Sequence, residues 1–243
     1  MSPVDPLDDD DFDWQSWTRD LGNRSLWMEF PRIDLGEESP FVTIWTRPRQ
    51  TIRAIVETDP TRHVVTLAVL QGVTPAALRA STRKLGDGFS FPMVLTLVIV
   101  LGSSVALAGL YLVGWLLALV GRWLGSRARP VQIRAALAWS EVPTIAGLPI
   151  GILLLAVLGR ELFTTRMPTI VAHPALGLLL QTWHVVTALL RGWSLMLLVK
   201  CLGEVQRVSA WRGLGSLLLA GLVLVVLVVL IGLGVIAILW AAR

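Results

Sequence analysis

Long uncharged runs divide the chain from residue 62 onward. Sixteen uncharged residues separate Arg62 from Arg79, and 34 separate Asp87 from Arg122. A helix needs about 20 apolar residues to cross about 30 Å of hydrocarbon, so runs of this size predict membrane-spanning helices. We therefore expect an all-α membrane protein, a bundle of five transmembrane helices in a domain of residues 61–243. The expected spans are about 62–80, 91–122, 135–160, 169–199 and 213–241.

The first of these spans has the weakest pattern. Its uncharged run is the shortest, and it contains Gln71 and Pro75. The sequence leaves open whether this segment crosses the membrane completely.

The chain before residue 61 has a different pattern. Residues 1–39 combine low hydrophobicity with a run of aspartates, which is typical of a segment without a fixed fold, and we expect an acidic cytoplasmic arm. Residues 40–60 alternate apolar and basic positions, and Pro48 suits the first turn of a helix. This pattern predicts an amphipathic helix at the membrane surface. Its expected surface residues are Trp45, Arg47, Arg49 and Arg53.

Charge separates these two parts of the chain. Residues 1–60 hold 13 acidic and 6 basic residues, a net charge of −7, whereas residues 61–243 hold 4 acidic and 15 basic residues, a net charge of +11. The formal net charge of +4 averages two unlike halves, so it does not indicate nucleic acid as a partner. The single cysteine, Cys201, excludes an intrachain disulfide.

The distribution of arginine predicts the orientation. Arginines are more numerous in the segments expected on the same side as the N-terminus, before span one, after span two and after span four. The positive-inside rule then places the N-terminus in the cytoplasm and the C-terminus outside, in a cell inner membrane.

One carboxylate lies inside an expected span. Glu141 follows Pro130 by 11 residues, or roughly 16 Å along a helix at about 1.5 Å per residue. Arg191 of the neighbouring antiparallel span should reach a similar depth. An unpaired charge at the bilayer centre costs at least about 3 kcal/mol, so we expect Glu141 to face Arg191 inside the bundle. On this hypothesis, Glu141→Ala destabilises the protein more than Glu161→Ala does.

Other polar residues share the expected face of span four. Gln181, His184 and Arg191 recur at helical spacing, which predicts a polar stripe that points inward. Two interpretations stay open: a structural hydrogen-bonded network, or a binding or transport site in which His184 relays a proton. Pro143, two residues after Glu141, either serves that site or kinks the helix.

Enzyme signatures are absent from the sequence. The three histidines form no HExxH motif, and there is no phosphate-binding glycine loop or nucleophile elbow. We expect no catalytic residues, no metal site and no cofactor.

Three segments together resemble a bacterial member of the Yip family, the Ypt-interacting membrane proteins. They are "FVTIWTRPRQTIRAIVE", "GLYLVGWLLALVGRWLGSRARPVQIRAALAWSEVP" and "LVKCLGEVQRVSAWRGL", in this order over about residues 40–212. The resemblance implies a five-span bundle with a cytoplasmic N-terminal arm and no catalytic residues. Eukaryotic members bind Rab-type GTPases, but their acidic-aromatic Tyr-Gly-Pro signature is missing here, so we do not transfer that function.

Two functions are compatible with these features. The first is a non-enzymatic scaffold that organises the membrane or its lipids, with the lipid bilayer and a protein bound through residues 1–57 as partners. The second is a carrier or channel for a small solute, proton or lipid, built on the Glu141, His184 and Arg191 positions. The sequence shows no inverted repeat, which favours the scaffold. Association with a second copy of the chain is left open.

Overall fold

The computed structural model describes residues 39–241, and within this range the chain is helical. The expected acidic arm, apart from Ser39, lies outside the described residues. Short 3-10 turns at Leu85–Asp87 and Gly159–Phe163 connect longer helices. The helices are α1 (Pro40–Thr46), α2 (Pro48–Thr58), α3 (Val64–Thr82), α4 (Phe91–Trp123), α5 (Pro130–Trp139), α6 (Val142–Ala146), α7 (Leu148–Leu158), α8 (Pro168–Ala172), α9 (Pro174–Val205) and α10 (Ala210–Ala241).

Four of the described helices are long and apolar enough to cross a membrane, at Val64–Thr82, Phe91–Trp123, Pro174–Val205 and Trp211–Val235. A fifth crossing exists if the bent pair Pro130–Ala146 and Leu148–Phe163 counts as one span. Within the described range the chain is thus an all-helical protein with four or five candidate spans.

The third segment is not one continuous helix. It is interrupted at Ser140–Glu141 and again at Gly147, and its two halves meet at an angle of 43°. Proline explains both breaks, since Pro143 and Pro149 have no N–H to donate to the carbonyls of Trp139 and Ile145, four residues earlier. The breaks leave Glu141 at the start of α6.

The fourth segment begins later than the sequence suggests. The expected span started at about residue 169, whereas α8 ends at Ala172 and α9 begins at Pro174. His173 precedes a proline, and residues in that position are disfavoured in helical backbone. Its φ of −129° and ψ of 86° are extended, so α8 and α9 are separate helices.

Helices α3 and α4 form the closest helix pair of the bundle. Gly72 lies directly against Gly102, and a Cβ built at Gly72 would lie 2.7 Å from the Ala106 Cβ. Small residues let helix backbones approach closely in membranes, where lipid tails offer no hydrophobic drive for association. The close contact of α3 and α4 therefore requires glycine, whose side chain is a single hydrogen atom, at both positions.

Helices α1 and α2 are part of the packed core. Ile44 and Ile52 are fully buried, in one cluster with Trp139 and Cys201. Arg53 of α2 also forms an ion pair with Glu204 at the end of α9. The apolar face expected to lie on lipid is therefore covered by α5 and α9 of the same chain.

At the other end of the bundle, polar contacts join the connecting segment after α3 to the connecting segment after α7. Asp87 accepts hydrogen bonds from the Thr165 backbone N–H at 3.1 Å and from its hydroxyl at 2.5 Å. Arg160 donates to the Gly86 carbonyl at 2.8 Å. The two hydrogen bonds from Thr165 lower the pKa of the Asp87 carboxyl below its ordinary value.

Candidate functional site: a polar cleft within the bundle

Two adjoining cavities lie in the middle of the helical domain. The first, of about 190 Å³, is called the polar cleft here; its lining includes Gln71, Pro75, Glu141, Thr144, Arg191 and Leu195. The second, of about 210 Å³, is called the apolar pocket; its lining includes Leu67, Ala106, Gly109, Val113 and Leu137. Gln71 and Glu141 line both, so the two cavities meet along these side chains.

The polar cleft exists because α3 and α9 share no extended contact. Helix α3 packs on α4, α5 and α6, whereas α9 packs on α2, α5, α6 and α10. The short helix α6 lies between them and supplies Glu141, at its N-cap, and Thr144. Arg191 and Leu195 on α9 are exposed and form the rim. The rim of the cleft therefore lies on the exposed surface of α9, a candidate span.

Glu141 and Arg191 share this cleft without direct contact. Among residues 39–241, the ion pair with an N–O distance within 4.0 Å is Arg53–Glu204, so Glu141 and Arg191 form no ion pair. Glu141 is half-buried and Arg191 is exposed. The expectation that the two charges meet inside the bundle holds at the level of a common cavity and not at the level of an ion pair.

The buried polar contact beside Glu141 involves two hydroxyl groups. The Oγ1 of Thr144 and the Oγ of Ser194 are 2.9 Å apart, and both residues are buried between α6 and α9. This contact ties α6 to α9 below the cleft. Either hydroxyl can be the donor, so Thr144 can accept from Ser194 and donate toward the Glu141 carboxylate.

Gln181 and His184 do not join the cleft. Both are exposed on α9, and neither lines either cavity. The inward face of α9 is instead the one that carries Trp183, Ser194 and Leu197. A Cβ at Gly147 would lie 2.9 Å from the Trp183 ring, so this glycine makes room for the indole. Arg191 is on the same face as His184 but seven residues further along α9, a distance of roughly 10 Å, and only Arg191 reaches the cleft.

Pro143 is buried at the first turn of α6 and acts on the backbone rather than on the cavity lining. It forces the break that leaves Glu141 at the helix start. Pro143 itself does not line either cavity, and its role in a binding site stays a prediction.

The expected surface residues line neither cavity. Arg47, Arg49 and Arg53 are exposed, and Trp45 is half-buried against the core. Within residues 39–241, no group of three or more His, Cys, Asp or Glu side chains is placed to hold a metal ion.

Sequence reasoning overlooked three members of the site, Gln71, Thr144 and Ser194. Gln71 carried a usable signal, since an amide inside an apolar span must find a partner or water. Threonine and serine carried none, because they are common in transmembrane helices and bond to their own backbone as readily as to a neighbour.

The Yip1 domain family model matches residues 42–233. The chain belongs to the Yip family. The match covers α2 to α9 and most of α1 and α10, so the cleft lies within the family domain. Searches of the curated proteins and of the solved structures gave no match to the chain.

Membership of this family agrees with the apolar helices, and together they make the chain a multi-pass membrane protein. The Yip family is not an enzyme family. The assignment to a bacterial member is not tested by the match and stays a prediction.

Proposed function

We propose that this protein is a non-enzymatic membrane scaffold that recruits a protein partner through its N-terminal region and takes part in organising the surrounding lipid. The observation that supports this proposal most directly is the packing of α1 and α2 against the rest of the helical domain. Ile44, Ile52 and Ile55 are at most 3% exposed, although they precede the first candidate span. A surface helix that served only to touch lipid would keep such residues free for the bilayer.

The buried contacts make α1 and α2 a fixed platform. Arg53 donates from Nε to Glu204 at 2.8 Å, which joins the platform to the end of α9. Arg47 and Arg49 remain exposed on it. The acidic sequence of residues 1–39 continues directly from this platform, and its Trp14, Trp17 and Leu21 have the spacing of a helical docking face.

In the proposed orientation, the platform is on the cytoplasmic side of a cell inner membrane and the C-terminus is outside. The exposed arginines suit this location, since positive charge is retained next to the cytoplasmic leaflet.

The test separates the N-terminal region from the fold. We would photo-cross-link the full chain in its native membrane and compare it with two variants, a chain of residues 39–243 and Glu57→Gln. Deleting only residues 1–38 keeps Ile44, Ile52 and Ile55 in place. The proposal predicts a discrete cross-linked partner that Glu57→Gln retains and the shortened chain loses.

A second assay addresses the alternative of transport. Liposomes containing the full chain would be tested for ion, proton and lipid flux. The scaffold predicts no flux above that of empty liposomes. A flux that Glu141→Gln abolishes would contradict the scaffold and favour a carrier.

A further inference from the structure

The polar cleft presents unpaired groups of both signs. The Glu141 carboxylate is an acceptor with no ion-pair partner among the described residues, and Arg191 is a donor on the rim. Pro75 adds a second acceptor, because it has no N–H to donate to the Gln71 backbone carbonyl four residues earlier. A ligand that satisfied all three would carry a cation with N–H donors and an anion a short distance away.

The apolar pocket offers a different surface directly beside these groups. Apart from Gln71 and Glu141, its lining is made of aliphatic side chains and a glycine. A Cβ built at that glycine, Gly109, meets no atom within 4 Å, so the space next to α4 is open. Such a pocket suits hydrocarbon rather than water.

The position of the opening indicates where a ligand comes from. Arg191 and Leu195 lie within the candidate span Pro174–Val205 and are exposed. A ligand therefore enters from the bilayer. The cavity volumes, about 190 and 210 Å³, are below the roughly 300–1,000 Å³ of pockets for drug-sized molecules and suit one headgroup and part of one chain.

We propose that the polar cleft and the apolar pocket together bind one phospholipid with a primary-amine headgroup, of the phosphatidylethanolamine type. The ammonium group donates to the Glu141 carboxylate and the Gln71 carbonyl. The phosphate accepts from Arg191, and one acyl chain enters the apolar pocket past Gln71 and Glu141.

The charges of the site select this headgroup over others. A choline headgroup has no N–H and cannot donate to Glu141. An anionic lipid without an amine, such as phosphatidylglycerol, supplies no positive charge to Glu141. The zwitterionic amine headgroup pairs both charges of the cleft and leaves the net charge of the site unchanged.

The test measures lipid retention on the full-length protein by native mass spectrometry. Delipidated protein would be titrated with phosphatidylethanolamine, with phosphatidylcholine of the same chains, and with free phosphoethanolamine. We expect about tenfold preference for phosphatidylethanolamine over phosphatidylcholine, the size that one charge-assisted hydrogen bond provides. Free phosphoethanolamine should not displace the lipid at equal concentration.

Two pairs of variants locate the contacts. Glu141→Gln should reduce the tenfold preference to about one, whereas Glu57→Gln, an exposed carboxylate on α2, should keep it. Gly109→Leu should fill the apolar pocket and reduce retention of both lipids. Gly221→Leu on α10 is its control, since a Cβ there also meets no atom within 4 Å.

A third variant keeps the inference testable if Glu141→Gln does not fold. Arg191→Gln should weaken both lipids equally, because both carry the phosphate. Equal retention of the two lipids by the unaltered protein would overturn the inference. So would full displacement by free phosphoethanolamine, or equal effects of the two glycine substitutions.

This inference goes beyond the proposed scaffold function. The lipid assay contains no protein partner, and the cross-linking assay depends on residues 1–38. Failure of one leaves the other result intact.

Discussion

Helix α3 contacts two unlike surroundings, a tightly packed helix and an open cleft. On one side, Gly72 is pressed against Gly102 of α4 so closely that an added methyl group has no room. On the other, Gln71 and Pro75 border the polar cleft, where α9 stays at a distance. Adjacent residues of one helix therefore serve opposite purposes.

The difference teaches how a small bundle can hold a polar site inside a membrane. Rigid contact on one side of α3 fixes the helix, so that the other side keeps a cavity open without collapsing. A larger side chain should therefore destabilise the protein strongly at the tight contact with α4 and only weakly where the structure has open space.

The largest effect is expected at the tight side. Gly72→Leu forces a side chain into the Gly102 backbone, which cannot move aside, and should destabilise the protein by about 3 kcal/mol, the upper end for overpacking. Thermal unfolding in detergent measures this change. Gly109→Leu on α4, where a Cβ meets no atom within 4 Å, is the control and should lower the melting temperature little. A similar loss for both variants would contradict the contrast.

The next effect compares two carboxylates. The pattern of charges predicted that Glu141→Ala is more damaging than Glu161→Ala. The structure reverses this expectation, because Arg191 is exposed and unpaired with Glu141, whereas Glu161 accepts from the Thr169 N–H at 3.0 Å and its hydroxyl at 2.5 Å.

We therefore expect Glu161→Ala to cost about 1–2 kcal/mol of unfolding free energy and Glu141→Ala less than about 1 kcal/mol. Chemical unfolding in mixed micelles measures both. A larger loss of unfolding free energy for Glu141→Ala would instead support the Glu141–Arg191 ion pair expected from the sequence.

A smaller effect on stability is expected for the ion pair that joins the platform to α9. Arg53 and Glu204 form an ion pair whose side chains are 43% and 18% exposed, so solvent screens much of the attraction. A double-mutant cycle of Arg53→Ala and Glu204→Ala should give a coupling energy of about 0.5–1 kcal/mol. A value near zero would mean that Ile44, Ile52 and Ile55 hold the platform alone.

The smallest effect is a dependence on pH at the far end of the bundle. Because hydrogen bonds from Thr165 lower the pKa of Asp87 in the folded protein, its contribution is complete above the ordinary aspartate pKa of about 3.9. The contribution disappears as the pH falls through the lower pKa of the folded state.

Asp87→Asn measures this contribution. The difference in melting temperature between the unaltered protein and the variant should be present at about pH 6 and shrink below about pH 3. A difference that stays constant over this range would exclude a role for the Asp87 charge.

The helical character and the positions of the apolar segments could be predicted from the sequence, because long uncharged runs are typical of membrane-spanning helices. An interruption could also be anticipated at Pro143, although proline alone does not decide it, since Pro75 lies inside the continuous helix α3. Glu141 stood out as a charge in an apolar run.

The packing of α1 and α2 could not be predicted. A helix with arginines on one side and isoleucines on the other is equally suited to a lipid surface and to a protein surface. Only the contact with Trp139 and Cys201, 80 or more positions away in the sequence, decides between them.

The rotation of α9 about its own axis could not be predicted from the sequence either. Spacing showed that Gln181, His184 and Arg191 share a face, which the structure retains, but it does not say which way that face turns. The slot at Gly147 for Trp183 sets the direction. A tryptophan and a glycine 36 positions apart give no sign of this in the sequence.

The central claim is that the gap between α3 and α9 is a polar cleft open within the membrane, and thiol labelling tests it most directly. In a Cys201→Ser background, Leu195→Cys places a thiol on the rim of the cleft, and Leu189→Cys places one on the exposed α9 surface outside it. A small maleimide reacts with the thiolate, which forms only in a polar environment. The account predicts labelling of the Leu195→Cys variant in intact membranes and none of the Leu189→Cys variant. Equal protection of both variants would show that the cleft is closed or dry, and would contradict it.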